Sequence, residues 1–151
     1  MKSADRSSKL RRRKMKPDLS PYLAFEGKAR EALNFYAEAL GGDPSIYTYG
    51  SYDASDDPRD RERVLYGVLR TPDGFVVRVT DVPVASSLTP GDNYYICISG
   101  DDEELIRRCW SNLSEEATIT IPLETASWGD AYGQLIDKFG VTWQINIGDS
   151  E

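Results

Sequence analysis

The chain has 151 residues and carries 18 Lys or Arg against 25 Asp or Glu, which gives a net charge of −7 at pH 7. This length fits one compact domain, or two small similar halves that share an interface. No run reaches the roughly 18 to 20 apolar residues of a membrane span, and no apolar secretory segment follows the basic start, so we expect a cytoplasmic protein that does not associate with membranes.

Residues 1–19 form a basic tail with eight Lys or Arg against two Asp, whereas the remainder carries ten against 23 acidic residues. The tail has few apolar side chains, so ordering it would cost chain entropy without a compensating core, and we expect it to be flexible. Clustered basic residues can bind nucleic acid, but the acidic remainder would repel it and no companion motif is present. Nucleic acid is therefore a disfavoured partner.

The first half of the chain opens with a strand, a helix and a second strand. A strand is predicted over residues 22–26, and apolar residues at helical spacing predict a helix over 28–40. The pair Gly41-Gly42 is typical of a helix C-terminus. A short strand over 46–49 leads to an acidic loop over 51–62, which has too little apolar content to pack and is expected to border an opening.

Two further strands complete this half, over residues 64–70 and 75–81, and Pro72-Asp73-Gly74 marks the hairpin turn between them. The second of these strands alternates between an apolar face and a mixed face that contains Arg78. An Arg among Val residues needs a carboxylate partner or solvent. We favour an ion pair with one of the many acids over a role in holding an anionic ligand.

A linker over residues 82–91 precedes the same order of elements: a strand at 94–99, a helix at 102–113 with Asp101 as its N-cap, and three strands ending near residue 147. Cys97 and Cys109 fall in these elements without metal-ligand spacing, and we expect both to be small core residues. The predicted fold class is α+β, with paired βαβββ modules (about 20–82 and 92–148) forming a curled mixed sheet around a cleft in a single domain over 20–149.

The mixed faces of the strands are assigned to this cleft, because small-molecule sites combine aromatic walls with a few polar groups. For each aromatic residue, a position in the core or in a dimer interface is an equal alternative. The candidate ligand-binding residues are Phe25, Tyr66, Arg78, Tyr95, Trp128, Tyr132 and Gln144.

Four short motifs together resemble one known family. They are Pro21-Tyr22-Leu23 with Phe25 and Gly27, Ala32-Leu33 with Phe35-Tyr36, Trp128-Gly129 with Tyr132-Gly133, and Asp137 with Phe139-Gly140 and Trp143. The chain resembles the PhnB-like branch of the vicinal oxygen chelate superfamily, the relatives of glyoxalases, bleomycin-resistance proteins and dihydroxybiphenyl dioxygenases. The resemblance implies a paired βαβββ fold and a homodimer. Some such chains are labelled demethylubiquinone methyltransferases, but a glycine-rich strand-to-helix turn for a nucleotide-like methyl donor is missing from this sequence.

Metal-dependent members of that superfamily hold a divalent ion with His and Glu, one from each of four strands. The corresponding positions here are Pro21, Arg78, Tyr95 and Gln144, and the chain contains no His. None of these side chains is a good ligand for zinc, iron or nickel. We therefore expect neither a metal nor another cofactor.

The favoured function is metal-free binding of a small organic ligand in the cleft, and the sequence leaves open whether the protein is an enzyme. The alternatives are a drug-sequestering protein of the bleomycin-resistance type and a lyase of the glyoxalase or dioxygenase type. If an acid or base acts without a metal, Asp137, Asp130 and Tyr66 are the candidates, although turn formation explains the two Asp residues more simply.

Overall fold

The structure, a computed structural model, describes residues 16–148, so most of the predicted flexible tail lies outside the described residues. The first half contains one helix and four strands: β1 (Tyr22–Phe25), α1 (Ala29–Leu40), β2 (Asp43–Thr48), β3 (Val64–Arg70) and β4 (Val76–Asp81). The second half repeats this order: β5 (Ile96–Gly100), α2 (Glu103–Leu113), β6 (Thr118–Thr125), β7 (Ala131–Ile136) and β8 (Thr142–Ile147). No helix within residues 16–148 is long and apolar enough to cross a membrane.

The two halves have the same sheet topology. The strand order is β1-β4-β3-β2 in one sheet and β5-β8-β7-β6 in the other. The first strand of each half pairs parallel with the last, and the other pairs are antiparallel. The predicted α+β class and the predicted βαβββ repeat are confirmed.

Several predicted boundaries and placements were wrong. Asp102, not Asp101, caps α2, because its carboxylate accepts a hydrogen bond from the Leu105 amide at 3.1 Å. Strand β2 begins at Asp43 rather than near residue 46, since Asp43 already pairs with Arg70. Cys109 is buried as expected, but Cys97 is exposed, because strand alternation directs its neighbour Ile98 into the core instead.

The acidic loop over 51–62 is held by polar contacts that its composition did not suggest. It contains two single 3₁₀ turns, Gly50–Tyr52 and Pro58–Asp60. The Asp60 side chain is buried and accepts hydrogen bonds from the Ser55 hydroxyl at 2.6 Å and from the Val84 amide at 2.7 Å. The loop is thereby attached to the segment that follows β4.

Helix α1 packs very closely against its own sheet. A Cβ atom added to Gly67 of β3 would lie 2.9 Å from Leu33 Cδ2 and 2.8 Å from Val79 Cγ2, distances that real Cβ atoms do not show. Leu33, Val79 and Tyr36 are fully buried. Glycine at this strand position therefore allows the helix to approach the sheet.

The two halves share one hydrophobic core that includes α1 and the β7–β8 hairpin. The Tyr36 ring lies 5.6 Å from the Trp143 ring, and Phe139 contacts Phe25 at 6.3 Å and Phe35 at 5.7 Å between ring centres. The Tyr36 hydroxyl also donates a hydrogen bond of 2.7 Å to Asp137. Aromatic packing and one buried hydrogen bond thus join residues about a hundred positions apart in the chain.

This packing determines where the mixed faces of the sheets point. The apolar face of each sheet is turned toward the shared core, and successive side chains of a strand point to opposite faces. The mixed faces therefore lie on the outer sides of the core, on two separate open sheets. Within one chain they do not line a common cleft.

Candidate ligand-binding site

The outer face of the first sheet carries a row of tyrosines. The Tyr66 ring lies 6.0 Å from Tyr22 on one side and 6.1 Å from Tyr47 on the other, where the two rings are nearly parallel at 13°. Tyr52 extends the row 6.0 Å beyond Tyr47. Tyr22, Tyr47 and Tyr52 are all exposed. We call this surface, with Arg70 and Arg78, the first mixed face.

Arg78 occupies the middle of the first mixed face, beside Tyr22 in the register of β1 and β4. Its Nε donates to the Tyr66 hydroxyl at 3.1 Å, while Nη1 and Nη2 donate to the two carboxylate oxygens of Asp18 at 3.0 and 3.1 Å. Nη1 also donates to the Ser20 hydroxyl. The predicted ion pair of Arg78 is confirmed, and its partner lies 60 residues earlier in the chain.

The ion pair stabilises the charged forms of both side chains. Hydrogen bonds from Arg78 hold the pKa of the Asp18 carboxyl below its usual value, with a smaller contribution from Arg70, whose Nη1 lies 3.6 Å from Asp18 Oδ2. The bonds to Asp18 and Tyr66 raise the pKa of Arg78. Arg78 therefore carries a permanent positive charge at the centre of this face.

The outer face of the second sheet has a different chemical character, dominated by amides. The Tyr132 hydroxyl accepts hydrogen bonds from Nε2 of both Gln134 and Gln144, and the Trp128 ring stands at 70° to the Tyr132 ring, 5.5 Å away. The Asn146 amide donates to Asp130 at 3.1 Å. We call this surface, with the exposed residues Tyr95 and Cys97, the second mixed face.

The structure separates the seven predicted ligand-binding residues into groups. Tyr66 and Arg78 lie together on the first mixed face. The members of the second mixed face are Tyr95, Trp128, Tyr132 and Gln144. Phe25 is buried in the core and borders a groove between the halves. The first two groups thus lie on different sheets of one chain. Contact of the seven residues with a ligand stays a prediction.

Sequence reasoning missed Tyr22 and Tyr47 as members of the first mixed face. Strand alternation could have identified Tyr22, because it falls on the same side as Ala24, opposite the buried Phe25. Tyr47 required the pairing of β2 with β3, which places it directly beside Tyr66. Asp18 could not be found, since nothing in its local sequence indicates the strand it contacts.

The groove between the halves has a volume of about 1400 Å³ and runs beside β1, α1 and the β7–β8 turn. Its walls include the rings of Phe35 and Phe139. The Lys138 ammonium lies 4.5 Å from the centre of the Phe35 ring and also contacts Glu115 at 3.1 Å. The groove therefore already has a cation of the chain itself against its aromatic wall.

Asp137, one of the acid and base candidates, is held by hydrogen bonds within the core. Asp137 is buried and accepts four hydrogen bonds: from the Phe139 and Val141 amides at 2.8 and 3.1 Å, from the Tyr36 hydroxyl at 2.7 Å, and from Trp143 Nε1 at 2.9 Å. The two amide bonds are the turn-forming role that the sequence suggested. Burial and the Asp137 carboxylate raise the pKa of Tyr36, so this phenol is a hydrogen-bond donor rather than a base.

The positions that carry metal ligands in metal-dependent relatives do not fit a metal ion. Among these four positions, the Arg78 amide donates to the Pro21 carbonyl at 3.1 Å, and Gln144 pairs with Cys97, two residues after Tyr95. The Arg78 guanidinium would repel a cation, and the amide of Gln144 is already bonded to Tyr132. Residues 16–148 contain no group of three or more His, Cys, Asp or Glu placed to hold a metal.

The architecture places the chain in a known class of protein. It superposes on the solved glyoxylase/bleomycin resistance protein/dioxygenase domain from Frankia sp. with a TM-score of 0.62, at 11% identity over 91% of this chain and 95% of that one. A likeness at this identity defines the fold: two βαβββ modules of the glyoxalase and bleomycin-resistance type.

Closer similarities define the family within that class. The PhnB protein from Bacillus cereus gives a TM-score of 0.70 at 26% identity, over 87% of this chain and all of that one. Protein YjdN of Escherichia coli is 25% identical over 139 residues, 85% of this chain and 94% of its own. A family model described as 3-demethylubiquinone-9 3-methyltransferase matches residues 17–146. The chain belongs to this family of PhnB-like proteins, and it has the fold of the glyoxalase/bleomycin resistance/dioxygenase proteins.

The methyltransferase activity in the family description would require a site for a methyl donor. Nucleotide-like donors bind where amide groups at a helix N-terminus are available after a strand. At the N-terminus of α1 these amides are already satisfied, because the buried Asp81 accepts from Gly27 at 2.8 Å and from Ala29 at 3.0 Å. The other carboxylate oxygen accepts from Val64 at 2.9 Å. The residues of this turn do not fit such a donor.

Proposed function

We propose that this PhnB-like protein binds a small organic molecule on its mixed faces, and that it does so without a metal ion. The observation that carries this proposal is the tyrosine row on the first mixed face, with the charged Arg78 at its centre. Aromatic surface combined with a few convergent polar groups is the usual composition of a small-molecule site. Rings that served only to fill the core would point inward, whereas Tyr22, Tyr47 and Tyr52 are exposed.

A second copy of the chain completes each site in this proposal. Each mixed face is one wall, because the shared core holds the two faces of a single chain apart. Within residues 16–148, β1 pairs only with β4 and β5 only with β8, so each sheet has an edge at which another chain can pack. A homodimer would place the first mixed face of one copy opposite the second mixed face of the other.

Binding is better supported than catalysis. The buried acids Asp81 and Asp137 are saturated by hydrogen-bond donors of the chain itself. The mixed faces carry phenols, amides and the guanidinium groups of Arg70 and Arg78, which can recognise a ligand by stacking and hydrogen bonding.

The test combines ligand screening with matched variants. Aromatic metabolites and drugs are screened by thermal shift, since a ligand of the folded state raises the melting temperature with its concentration. Hits are then titrated against Tyr66→Ala and against Ile119→Ala, which truncates an exposed apolar residue of β6 outside both mixed faces. We expect Tyr66→Ala to weaken binding about fivefold, the effect of losing roughly 1 kcal/mol of ring stacking, and Ile119→Ala to have no effect.

Sedimentation tests the dimer independently. The expected mass is twice the 16.9 kDa of one chain. A monomer at micromolar concentration, or a screen in which no compound stabilises the wild-type protein, would contradict the proposal.

A further inference from the structure

Asp18 is bound on the first mixed face in the way that a ligand carboxylate would be bound. Its two oxygens receive Nη1 and Nη2 of Arg78 in a bidentate arrangement, and Arg70 lies 3.6 Å away. A guanidinium that holds both oxygens of a carboxylate is the standard recognition geometry for this group. The face therefore contains a working carboxylate site whose occupant belongs to the chain itself.

The segment that supplies this carboxylate is weakly attached. It lies outside the sheet, before β1, and the adjacent residue Leu19 is fully exposed. The Asp18 side chain retains 37% of its exposure, against 15% for Arg78. Ion pairs with such solvent access contribute little to stability, because water and salt screen them. The Asp18 carboxylate can therefore leave the site at low cost.

Arg78 is held in place independently of Asp18. Its Nε donates to Tyr66, and Tyr66 is in turn stacked on Tyr47. If Asp18 leaves, both Nη groups stay directed at the same position, with Tyr22 and Tyr66 beside them. A ligand that combined a carboxylate with an aromatic ring would satisfy the guanidinium and contact the tyrosine row at the same time.

We propose that Arg78 and Arg70 form the site for the carboxylate of an aromatic acid, and that Asp18 occupies this site until such a ligand displaces it. The inference rests on the proposed binding function of the first mixed face and specifies its ligand class. Asp18 acts as an internal competitor, so the apparent affinity for an aromatic acid is lowered by the fraction of molecules in which the site is filled.

The experiment uses 2-naphthoate and its neutral counterpart 2-naphthamide as probes, titrated by calorimetry into the full chain. Asp18→Asn removes the competitor, and we expect it to bind 2-naphthoate about tenfold more tightly than wild type, which corresponds to a ninety per cent occupancy by Asp18. Asp57→Asn is the matched control, because Asp57 forms a similar bidentate pair with Arg59 outside the mixed faces. This control should leave the affinity unchanged.

Two further readouts separate binding at this site from a general change of charge. The higher affinity expected of Asp18→Asn for 2-naphthoate should not be seen for 2-naphthamide. It should also be lost when Asp18→Asn is combined with Arg78→Gln. In wild-type protein, the NMR signal of the Arg78 Nε–H group should shift on addition of 2-naphthoate, since its guanidinium exchanges one carboxylate for another.

The outcomes distinguish this inference from the broader proposal. Equal affinities of wild type and Asp18→Asn for 2-naphthoate, or no binding of 2-naphthoate to Asp18→Asn, would overturn the inference. If other compounds still bound, and Tyr66→Ala weakened their binding, the proposed function would stand although the inference about aromatic acids had failed. A lower melting temperature in Asp18→Asn without tighter binding would identify the ion pair as purely structural.

Discussion

Replacing Asp137 by Ala should strongly destabilise the protein, because one carboxylate satisfies donors from both halves. The Tyr36 hydroxyl and Trp143 Nε1 belong to side chains that are 0% and 1% exposed, so water cannot replace the lost acceptor. Leaving a buried donor unsatisfied costs roughly 1 to 3 kcal/mol. Two such donors, with the two lost turn bonds, give an expected loss of about 3 to 5 kcal/mol in the free energy of unfolding.

The matched control is Thr71, which occupies the equivalent position in the β3–β4 hairpin. Its hydroxyl accepts from the Phe75 amide at 3.0 Å, as Asp137 accepts from Val141, but within residues 16–148 the other half donates no hydrogen bond to it. Thr71→Ala should therefore cost only about 0.5 to 1.5 kcal/mol, the value of one hydrogen bond.

Urea unfolding followed by far-UV circular dichroism measures both variants on the same scale. The difference between them reports the hydrogen bonds of Asp137 with Tyr36, Trp143 and the Phe139 amide, of which the Tyr36 bond joins the two halves. If Asp137→Ala cost no more than Thr71→Ala, the Tyr36 and Trp143 hydrogen bonds would contribute nothing measurable and the reasoning would be refuted.

Two further predictions concern the packing around α1. Because the pKa of Tyr36 is raised in the folded state, its phenol stays protonated there, whereas the same phenol in the unfolded chain loses its proton near pH 10. The contribution of Tyr36 to the free energy of unfolding is therefore complete below about pH 10 and declines above it. Tyr36→Phe should make the decline above pH 10 shallower in denaturant titrations, and an unchanged slope would contradict this assignment. Gly67→Ala should cost about 1 to 3 kcal/mol, because its Cβ would overlap Leu33 and Val79. Gly91→Ala, where a Cβ meets only Asn93 at 3.7 Å, should change stability little, and equal effects of the two substitutions would argue against close helix packing.

Much of the fold could be predicted because its signals are local. Apolar residues at helical spacing identified α1, and alternation within β4 separated Val77 and Val79 from Arg78. The repeat of strand, helix and three strands followed from the order of these elements. The same rule failed for Cys97, which lies in an apolar run and was expected in the core, whereas Ile96 and Ile98 face the core and Cys97 is exposed on the other side.

The candidate site was less accessible to sequence reasoning because its contacts are long-range. Alternation shows which residues share a face of a strand, but it does not show how two sheets are arranged around a core. Alternation placed Arg78 and Gln144 on mixed faces, as the structure has them, yet the sequence could not indicate that the two faces point in different directions. The contact of Asp18 with Arg78 spans 60 residues and depends on geometry alone.

The outward orientation of the mixed faces has an evolutionary consequence. Substitutions at Tyr47, Tyr66 or Gln144 change the outer surface of the sheets without altering the residues that join the two halves. The outer faces can therefore differ in sequence while the architecture stays the same. The fold is shared with the Frankia domain at 11% identity. The arrangement separates the residues that can vary on the outer surface from the buried contacts of Tyr36, Asp137 and Trp143 that hold the fold together.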